Sequence, residues 1–584
     1  MISKTWRTSE RKYGVVVERD VSIPMSDGIR LDCDLFRPDA EGKFPVILGV
    51  HPFEKSWQSA PSMPQGFDLH NGSIEAGDSN FFVRRGYGHV IANVRGSGRS
   101  EGQFLNRGPQ EVRDTCEVIE WIARQPWCDG KVGMFGPSYF AITQLQVATL
   151  NPPHLKALFA PFGYTDFYRD NYYHGGILFH KFVCGWANRI FRRTADHRPQ
   201  AKWFSWTREK LGDLRFKEAI EKALDDNEIK AVPDLVEALK NPDRGANPLI
   251  VDLVLNQFDG EYYQERNVRH EAIKVPTYLG GCWGIYGLHL PGAFRAWENV
   301  DAPKKMVIGP PIYLDRPVYQ YQYESLRWFD YWLKGIENGI MEEPPVKLFI
   351  MGTDEWKAAK EWPLHETRWT PFYLHADGLL SEHEFWPNDG CSSYEDNLFN
   401  LRGGLTFLSP PLVENTEVVG PVALNLFAST TDTDVLWFIS LLDVDPAGQE
   451  TLLTRGWLRG SQRAVDPAKS KSWEPFHPHT KREFLTPNQI YEFNIKINST
   501  GNLFKAGHRI GLRIRSVDDE SPKTSLEATA QGHLWRTSPA WITIHHNEDY
   551  PSMLLLPVTK GNVIGTYISG GNVKLPSHKG GASR

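Results

Sequence analysis

The clearest chemical signal in this chain of 584 residues is a serine placed between two kinds of secondary structure. The stretch Lys131-Val-Gly-Met-Phe135 is a short apolar run typical of a buried strand, Gly136-Pro-Ser138 follows it directly, and residues 142–150 are typical of a helix. A sharp strand-to-helix turn exposes a serine Oγ and brings backbone N–H groups and the positive end of a helix dipole to a developing oxyanion. We therefore predict that Ser138 is a nucleophile and that the Tyr139 backbone N–H forms half of an oxyanion hole, although Phe140 stands where the Gly-x-Ser-x-Gly pattern ends in glycine.

The segments before Ser138 predict the elements that hold it. A helical pattern at 111–123 lies among short runs typical of strands, at 28–36, 44–50, 88–94 and 131–135. Strands alternating with helices predict a parallel sheet covered by helices on both faces.

The pattern changes further along the chain. Helical stretches dominate from about residue 164, and strand-like runs return at 275–279 and 305–308 before a predicted helix at 323–333. After about residue 365, short β runs alternate with turn signals, which is typical of a sandwich or jelly roll.

Several motifs in combination resemble an α/β-hydrolase family that includes cocaine esterase, glutaryl-type acylases and X-prolyl dipeptidyl aminopeptidases. They are Asp27-Gly-Ile-Arg-Leu31, Asn93-Val-Arg-Gly-Ser-Gly-Arg-Ser-Glu-Gly102, Arg327-Trp-Phe-Asp-Tyr-Trp-Leu-Lys-Gly335, Pro344-Pro-Val-Lys-Leu-Phe-Ile-Met-Gly352 and Gly507-His-Arg509. The resemblance implies an α/β-hydrolase core in residues 1–163 and 266–360, an inserted helical cap at 164–265 and a C-terminal jelly-roll β domain at 361–584. It also implies a serine hydrolase.

The family's other catalytic positions are altered here. The region that resembles the family's Gly-Trp-Tyr-Asp motif has no Asp but contains His289, and the loop that normally carries the histidine contains Tyr313 and Asp315 instead. Exchanging the two roles would preserve a Ser–His–Asp relay, because the relay depends on geometry rather than chain order. Two alternatives stay open: His289 hydrogen-bonds only within its loop while Asp315 caps a turn, or another residue is the base.

The resemblance also suggests residues around the substrate. Phe53, in Pro52-Phe-Glu-Lys55, replaces a tyrosine that normally donates to the oxyanion, so the second half of the oxyanion hole is expected from a backbone N–H near Phe53. The substrate pocket is expected to include Tyr313, His51, Trp283, Tyr286 and His174.

Composition narrows the classes of partner. A net charge of −6 argues against general binding to nucleic acid or an acidic membrane, and no run of 18 apolar residues or signal-peptide core is present. Six scattered cysteines favour free thiols, and no metal or other cofactor is expected. We expect a cytoplasmic protein with a small-molecule substrate, no nucleic-acid or membrane partner, and a homodimer as one allowed assembly.

Three functions are compatible with these residues. The first is a hydrolase in which Ser138 attacks an ester, lactone, thioester or amide of a small hydrophobic or aromatic molecule. The second is acyl transfer, cyclisation or C–C bond cleavage on the same scaffold with a degenerate triad and Tyr313 as proton donor. The third is a non-catalytic ligand-binding protein.

Overall fold

The computed structural model describes residues 7–53, 55–58, 75–195, 203–311, 315–384, 389–397, 403–518 and 531–561, without the side chains of 56–57, 192–195 and 315–321. The strands are β1 (Val15–Pro24), β2 (Arg30–Pro38), β3 (Phe44–His51), β4 (Gly88–Asn93), β5 (Cys128–Phe135), β6 (Leu155–Pro161), β7 (Tyr173–His174), β8 (Ile177–Leu178), β9 (Thr277–Cys282), β10 (Lys304–Gly309), β11 (Val346–Ile350), β12 (Glu355–Ala359), β13 (Arg368–Leu374), β14 (Leu380–Ser381), β15 (Gly390–Asp396), β16 (Leu405–Leu408), β17 (Thr416–Thr430), β18 (Leu436–Val444), β19 (Glu450–Arg459), β20 (Tyr491–Phe504), β21 (Arg509–Arg515), β22 (Ala540–Asn547), β23 (Tyr550–Pro551) and β24 (Met553–Lys560). The α-helices are α1 (Lys55–Gln58), α2 (Ser79–Val83), α3 (Pro109–Ala123), α4 (Tyr139–Ala148), α5 (His180–Ala195), α6 (Trp206–Leu211), α7 (Asp213–Asp225), α8 (Asn227–Lys230), α9 (Pro233–Lys240), α10 (Asn247–Leu255), α11 (Glu261–Gln264), α12 (Leu290–Asn299) and α13 (Asp315–Lys334).

Ten strands form the first sheet, in the order β1-β2-β4-β3-β5-β6-β9-β10-β11-β12. The strands from β4 to β11 in this order run parallel to their neighbours, whereas β1, β2 and β12 pair antiparallel at the two ends. Every residue of β4 and β9 is buried, as expected for central strands whose two faces are both covered. Because parallel strands end at the same sheet edge, the segments that follow β5 and β9 can converge there.

Helices α5 to α11 lie in the chain between β6 and β9, in the segment predicted to be a cap. Several of them, including α7 and α9, place apolar residues on one face and charged residues on the other, the pattern of helices packed on a core from one side. Their buried side chains belong to the same hydrophobic cluster as those of the first sheet.

The C-terminal strands form a second sheet of twelve strands, all paired antiparallel. Its core is a separate cluster of buried aliphatic and aromatic side chains, to which β17 and β20 contribute alternate residues. The predicted fold class, an α/β-hydrolase core with a helical insertion and a C-terminal β-rich domain, is therefore confirmed. The predicted boundaries at 163, 265 and 360 stay a prediction.

Among the described residues, no helix has the length and apolar character that crossing a bilayer requires.

Candidate active site

Ser138 lies at a tight turn between β5 and α4. Its backbone has φ 60° and ψ −122°, in a region that L-residues rarely adopt. The Ser138 N–H donates to the Phe162 carbonyl (3.2 Å), and the Ser138 carbonyl accepts from the Ile142 N–H (3.0 Å). These bonds fix the turn on both sides, so that the strained serine lies directly before the first turn of a helix.

The phenylalanine at position 140 is accommodated because glycines face it. A Cβ at Gly49, in β3, would lie 3.0 Å from the Phe140 ring, and a Cβ at Gly136 would lie 2.7 Å from the Phe140 side chain. Gly136 also has φ 127°, which a residue with a side chain would adopt only with strain. The sharp turn is therefore retained without a glycine two residues after Ser138.

Ser138 lines a cavity of about 20 Å³, enough for about one water molecule. The other residues that line it are Arg107, Tyr139, Tyr164, Asn171, Tyr172, Phe182, Val183, Trp186, Leu288 and His289. They come from the loop before α3, the turn at Ser138, the segment after β6, the first turns of α5 and the loop before α12. The structure therefore brings Ser138 and His289 to one site.

The His289 ring is fixed by aromatic neighbours. It stacks on Tyr164 (centroids 6.2 Å apart, planes at 11°) and meets Phe162 edge-on (6.1 Å). Burial, and to a lesser extent the positive charge of Arg107, lowers the pKa of His289 to about 3. The imidazole is therefore uncharged at neutral pH, and its buried Nδ1 has no hydrogen-bond partner among the described residues.

The predicted acid and its neighbour fall largely outside the described residues. Asp315 is the first residue of α13, but its side chain is not described. Tyr313 lies outside the described residues altogether. The role of Asp315 as the group that orients His289 stays a prediction.

The two predicted oxyanion donors differ in their surroundings. Tyr139 is the first residue of α4, a position whose N–H has no partner within the helix. The Phe53 N–H donates to His51 Nδ1 (3.1 Å), and the Phe53 ring lies 6.2 Å from the Tyr139 ring. Phe53 is thus close to the turn, but its N–H would have to leave His51 to reach an oxyanion.

The other predicted pocket residues lie elsewhere. His51 is fully buried against Phe140 (ring centroids 5.0 Å apart), where burial and then the charge of Lys55 lower its pKa to about 3. Trp283 is buried, and its Nε1–H donates to the Phe349 carbonyl. Tyr286 and His174 line a second cavity of about 400 Å³. None of these four is among the described residues that line the Ser138 cavity.

Arg107, Asn171 and Trp186 also line the cavity, although nothing in their local sequence predicts this position. Arg107 precedes Gly108-Pro109 at the start of α3, and Asn171 and Trp186 lie in the predicted cap. No short motif marks these residues, because only tertiary folding brings them to Ser138.

A buried carboxylic acid supports the same wall of the cavity. The Tyr139 hydroxyl donates to Glu111 Oε1, and the Arg107 N–H donates to Glu111 Oε2 (3.0 Å). Burial raises the pKa of Glu111 to about 7 in spite of these bonds. Glu111 therefore links the loop before α3 to the first residue of α4.

The parallel sheet and the strained serine at a strand-to-helix turn define the protein as an α/β-hydrolase. The family model "X-Pro dipeptidyl-peptidase (S15 family)" matches residues 27–312, and the model "X-Pro dipeptidyl-peptidase C-terminal non-catalytic domain" matches residues 338–555. The chain belongs to the α/β-hydrolase family of cocaine esterase and the X-Pro dipeptidyl-peptidases, and it is a serine hydrolase.

Individual relatives agree with this assignment. The cocaine esterase of Rhodococcus sp. (strain MB1 Bresler) is 28% identical over 93% of this chain and 99% of its own length. A putative serine esterase of Mycobacterium bovis is 27% identical over 85% of this chain and 90% of its own length. The crystal structure of a CocE/NonD family hydrolase from Staphylococcus aureus is 25% identical and superposes with a TM-score of 0.76, over 93% of this chain and 94% of that one.

Proposed function

We propose that the protein is an esterase in which Ser138 attacks the acyl carbonyl of a small hydrophobic or aromatic molecule. The observation that carries this proposal is the strained Ser138 at the start of α4, in one cavity with the buried His289. Lactones, thioesters and amides have the same electrophilic carbonyl and are included as substrates of the same attack.

The aromatic wall of the cavity supports an apolar or flat substrate. Tyr139, Tyr164, Phe182 and Trp186 all line the space around Ser138. Such side chains bury large apolar areas and stack on flat groups. Relatives named cocaine esterase and serine esterase favour an ester over an amide.

In the proposed reaction His289 takes the proton of Ser138 as Oγ bonds to the carbonyl carbon. The negative charge that develops on the carbonyl oxygen is stabilised by the Tyr139 N–H and the positive end of α4. His289 then gives its proton to the leaving alcohol as the bond from the carbonyl carbon to the alcohol oxygen breaks. In the second half of the reaction water attacks the acyl-enzyme, and His289 takes a proton from the water and returns it to Ser138 Oγ as the carboxylic acid leaves. We propose Asp315 as the acid that orients the imidazole.

The expected setting of this reaction is also a proposal. A net charge of −6 and scattered cysteines support a cytoplasmic enzyme that acts on a small molecule rather than on nucleic acid or a membrane. A homodimer is compatible with the proposal and is not required by it.

Labelling with a fluorophosphonate, together with hydrolysis of p-nitrophenyl butyrate, tests this function. We expect stoichiometric labelling at Ser138 in the wild-type protein and none in Ser138→Ala. His289→Ala should lower kcat/KM by roughly 10²–10⁴-fold, the usual contribution of a general base. His270→Ala is the matched control, because His270 is also buried with a lowered pKa of about 4 but does not line the cavity.

Two further variants separate the alternatives. Asp315→Asn should reduce activity by favouring the wrong imidazole tautomer, whereas Tyr313→Phe should have little effect. Absence of labelling at Ser138 in the wild-type protein would contradict the proposed nucleophile. Undiminished activity in His289→Ala would contradict the proposed base. A severe loss in Tyr313→Phe alone would favour a non-hydrolytic reaction instead.

A further inference from the structure

Glu111 is a buried carboxyl group behind the wall that carries the proposed oxyanion donor. It lies in the first turn of α3, and its residue surface is only 2% exposed. Its Oε1 accepts from the Tyr139 hydroxyl, and its Oε2 accepts from the Arg107 backbone N–H (3.0 Å). Tyr139 begins α4 directly after Ser138, and Arg107 lines the cavity that contains Ser138 and His289. One carboxyl group therefore joins two segments that border the proposed nucleophile.

Both segments have strained backbones that need such support. Asn106 and Arg107 have φ of 46° and 61°, so two consecutive residues lie in the left-handed region that side chains disfavour. The Arg107 carbonyl accepts from Gln146 Nε2 (3.1 Å), which holds the loop from its other side. Ser138 itself has φ 60°. Strained conformations persist only where their surroundings fix them, so losing a bond to Glu111 would loosen the wall around Ser138.

The strength of both bonds depends on the charge of Glu111. A carboxylate accepts through two oxygens, and hydrogen bonds to it are roughly twice as strong as those between neutral groups. In a protonated carboxyl group one oxygen carries a hydrogen, so the group cannot accept equally well from the Tyr139 hydroxyl and the Arg107 N–H. Protonation of Glu111 therefore weakens or reverses at least one of the two bonds.

The charged and titratable groups that face Glu111 come from three segments. Arg107 lies in the loop before α3, Tyr139 begins α4, and Asp114 lies one turn further along α3, where it is paired with Arg95 (2.6 Å). Burial is the largest influence and raises the pKa of Glu111 to about 7, although its bonds with Tyr139 and Arg107 favour the ionised form. The group therefore changes its charge close to neutral pH.

Arg107 connects the charge of Glu111 with His289. The guanidinium carbon lies 4.3 Å from the Tyr139 ring centroid and 5.1 Å from that of Tyr164, the ring on which His289 stacks. Burial, and then the positive charge of Arg107, lowers the pKa of His289. An ionised Glu111 offsets that positive charge, so its protonation makes His289 a weaker base while it also loosens the wall.

We propose that Glu111 is a positioning residue for the reaction at Ser138 and that the enzyme is fully active only when Glu111 is ionised. The carboxylate holds Tyr139 and Arg107 in the arrangement that the reaction needs. Proton uptake by Glu111, rather than by His289, then causes the loss of activity in acid. This inference rests on the proposed esterase function and specifies how pH regulates that site.

The pH dependence of the wild-type protein and of Glu111→Gln tests this role. The substitution keeps the size of the side chain but leaves one acceptor oxygen and no charge, as protonation does. Hydrolysis of p-nitrophenyl butyrate is followed at the isosbestic wavelength of nitrophenol. We expect the wild-type kcat/KM to fall between about pH 8.5 and 5.5 with an apparent pKa of about 7.

Glu111→Gln should remove this decline. At about pH 8.5 its kcat and kcat/KM should both be on the order of 10- to 100-fold below the wild-type values, because a misplaced oxyanion donor acts on the transition state. The wild-type activity should approach that of Glu111→Gln as the pH falls, since both proteins then lack the carboxylate.

Tyr139→Phe identifies the group that titrates. It removes the hydroxyl that donates to Glu111 and keeps the backbone N–H at that position. Because that bond favours the ionised carboxylate, we expect the decline in activity to move to higher pH in this variant. A decline caused by His289 would stay in place, since burial and Arg107 determine the pKa of that group.

The control is a buried carboxyl group in another part of the protein. Asp252, in α10, is also 2% exposed and accepts from Ser205 Oγ (2.8 Å) and the Trp206 N–H (2.8 Å). It is not among the described residues that line the Ser138 cavity. We expect Asp252→Asn to lower Tm without moving the pH at which activity declines.

Fluorophosphonate labelling of the wild-type protein keeps the test valid if Glu111→Gln fails to fold. The rate of labelling at Ser138 should fall with the same apparent pKa as hydrolysis. A labelling rate that is constant over this pH range, or a decline that Glu111→Gln and Tyr139→Phe leave unchanged, would overturn the inference while labelled Ser138 still supports the esterase. If Ser138 is not labelled at any pH, the esterase proposal fails and this inference fails with it.

Discussion

At the scale of single residues, Ser138 combines two properties that oppose each other. Its φ of 60° and ψ of −122° are unfavourable for a residue with a side chain, yet the same turn presents its Oγ to the cavity. Strain of this kind costs of order 1–3 kcal/mol and is maintained by the surrounding structure. The backbone conformation of the proposed nucleophile therefore lowers the stability of the folded protein.

Replacing Ser138 with glycine should reveal that strain. Glycine adopts a positive φ freely but loses more entropy on folding, so we expect Ser138→Gly to be about 1 kcal/mol more stable than Ser138→Ala. Neither variant should react with a fluorophosphonate. Urea unfolding of the two variants under the same conditions measures the difference, and a glycine variant less stable than the alanine variant would show that the turn is not strained.

The site residues differ in how much of their role can be predicted from the sequence. Ser138 was predictable because its own neighbours define both the strand and the helix that produce the turn. His289 was found through a family resemblance, and it does line the cavity with Ser138. Arg107 could not be predicted, because its significance depends on rings that lie up to 79 positions away in the chain, such as Trp186.

At the scale of elements, the position of His289 depends on how closely α12 approaches the segment after β6. A Cβ at Gly292 would lie 2.4 Å from the Gly163 carbonyl oxygen and 2.6 Å from the Tyr164 Cα. Both contacts are with backbone, which cannot move aside as a side chain can. The glycine in Leu288-His289-Leu-Pro-Gly292 therefore allows His289 to stack on Tyr164.

Gly292→Ala should displace this helix and lower activity more than stability. We expect kcat to fall at least about tenfold, because small errors in the placement of a base are costly, with destabilisation of about 1–3 kcal/mol from overpacking. Gly281→Ala, in β9, is the control, since its Cβ would meet its nearest neighbour at an ordinary 3.5 Å. Esterase assays and Tm values measure both effects, and equal activity of the two variants would contradict this account.

Helices and strands could be predicted from the sequence where the pattern of apolar residues is local. The helix at 111–123 corresponds to α3 (Pro109–Ala123), and the run at 44–50 corresponds to β3 (Phe44–His51). The helix expected at 323–333 begins earlier, at Asp315, so Pro317 falls in the first turn, where a missing N–H is tolerated. The largely exposed edge strand β1 was not predicted, because its acidic residues and its register shift near Glu18 obscure the alternation.

At the scale of the whole molecule, residues predicted for the substrate pocket contact the C-terminal domain instead. A Cβ at Gly501, in β20, would lie 2.5 Å from the Trp283 ring, which follows β9 of the first sheet. His174 hydrogen-bonds His533 through Nδ1 (2.8 Å). Aromatic residues that the sequence suggests for a substrate pocket can thus serve the contact between domains, because sequence periodicity does not distinguish the two roles.

The burial of many histidines predicts how the molecule responds to acid. Burial, with smaller effects of neighbouring charges, lowers the pKa of six histidines to about 3 or 4: His51, His89, His174, His180, His270 and His289. In the unfolded chain these groups have pKa values of about 6.5, so between pH 6.5 and about 4 the unfolded state binds more protons. The free energy of unfolding must therefore decrease as the pH falls through this window.

Buried carboxylic acids with a raised pKa act in the opposite sense, and the shift is large in two of them, Glu111 and Asp396. Burial raises the pKa of Glu111 to about 7 and that of Asp396 to about 6, so the folded protein holds these protons more tightly than the unfolded chain does. Among the groups whose shifts are large, these six histidines against these two carboxyl groups leave a net uptake of about four protons on unfolding near pH 5. The histidines therefore determine the sign.

We expect Tm to fall steadily between pH 7.5 and 5, well above the range in which ordinary carboxylates become protonated. Since each proton contributes about 1.4 kcal/mol per pH unit, even half of the net uptake would cost several kcal/mol over this range. Thermal scans at one fixed rate and ionic strength measure the trend, and calorimetry in buffers of different ionisation enthalpy measures the proton uptake directly. A Tm that stays constant down to pH 5, with no proton uptake, would mean that water reaches these histidines and that the interior around Ser138 and His289 is not dry. Because stabilisation of the oxyanion by the Tyr139 N–H is strongest in a site that excludes water, such a result would also weaken the proposed chemistry at Ser138.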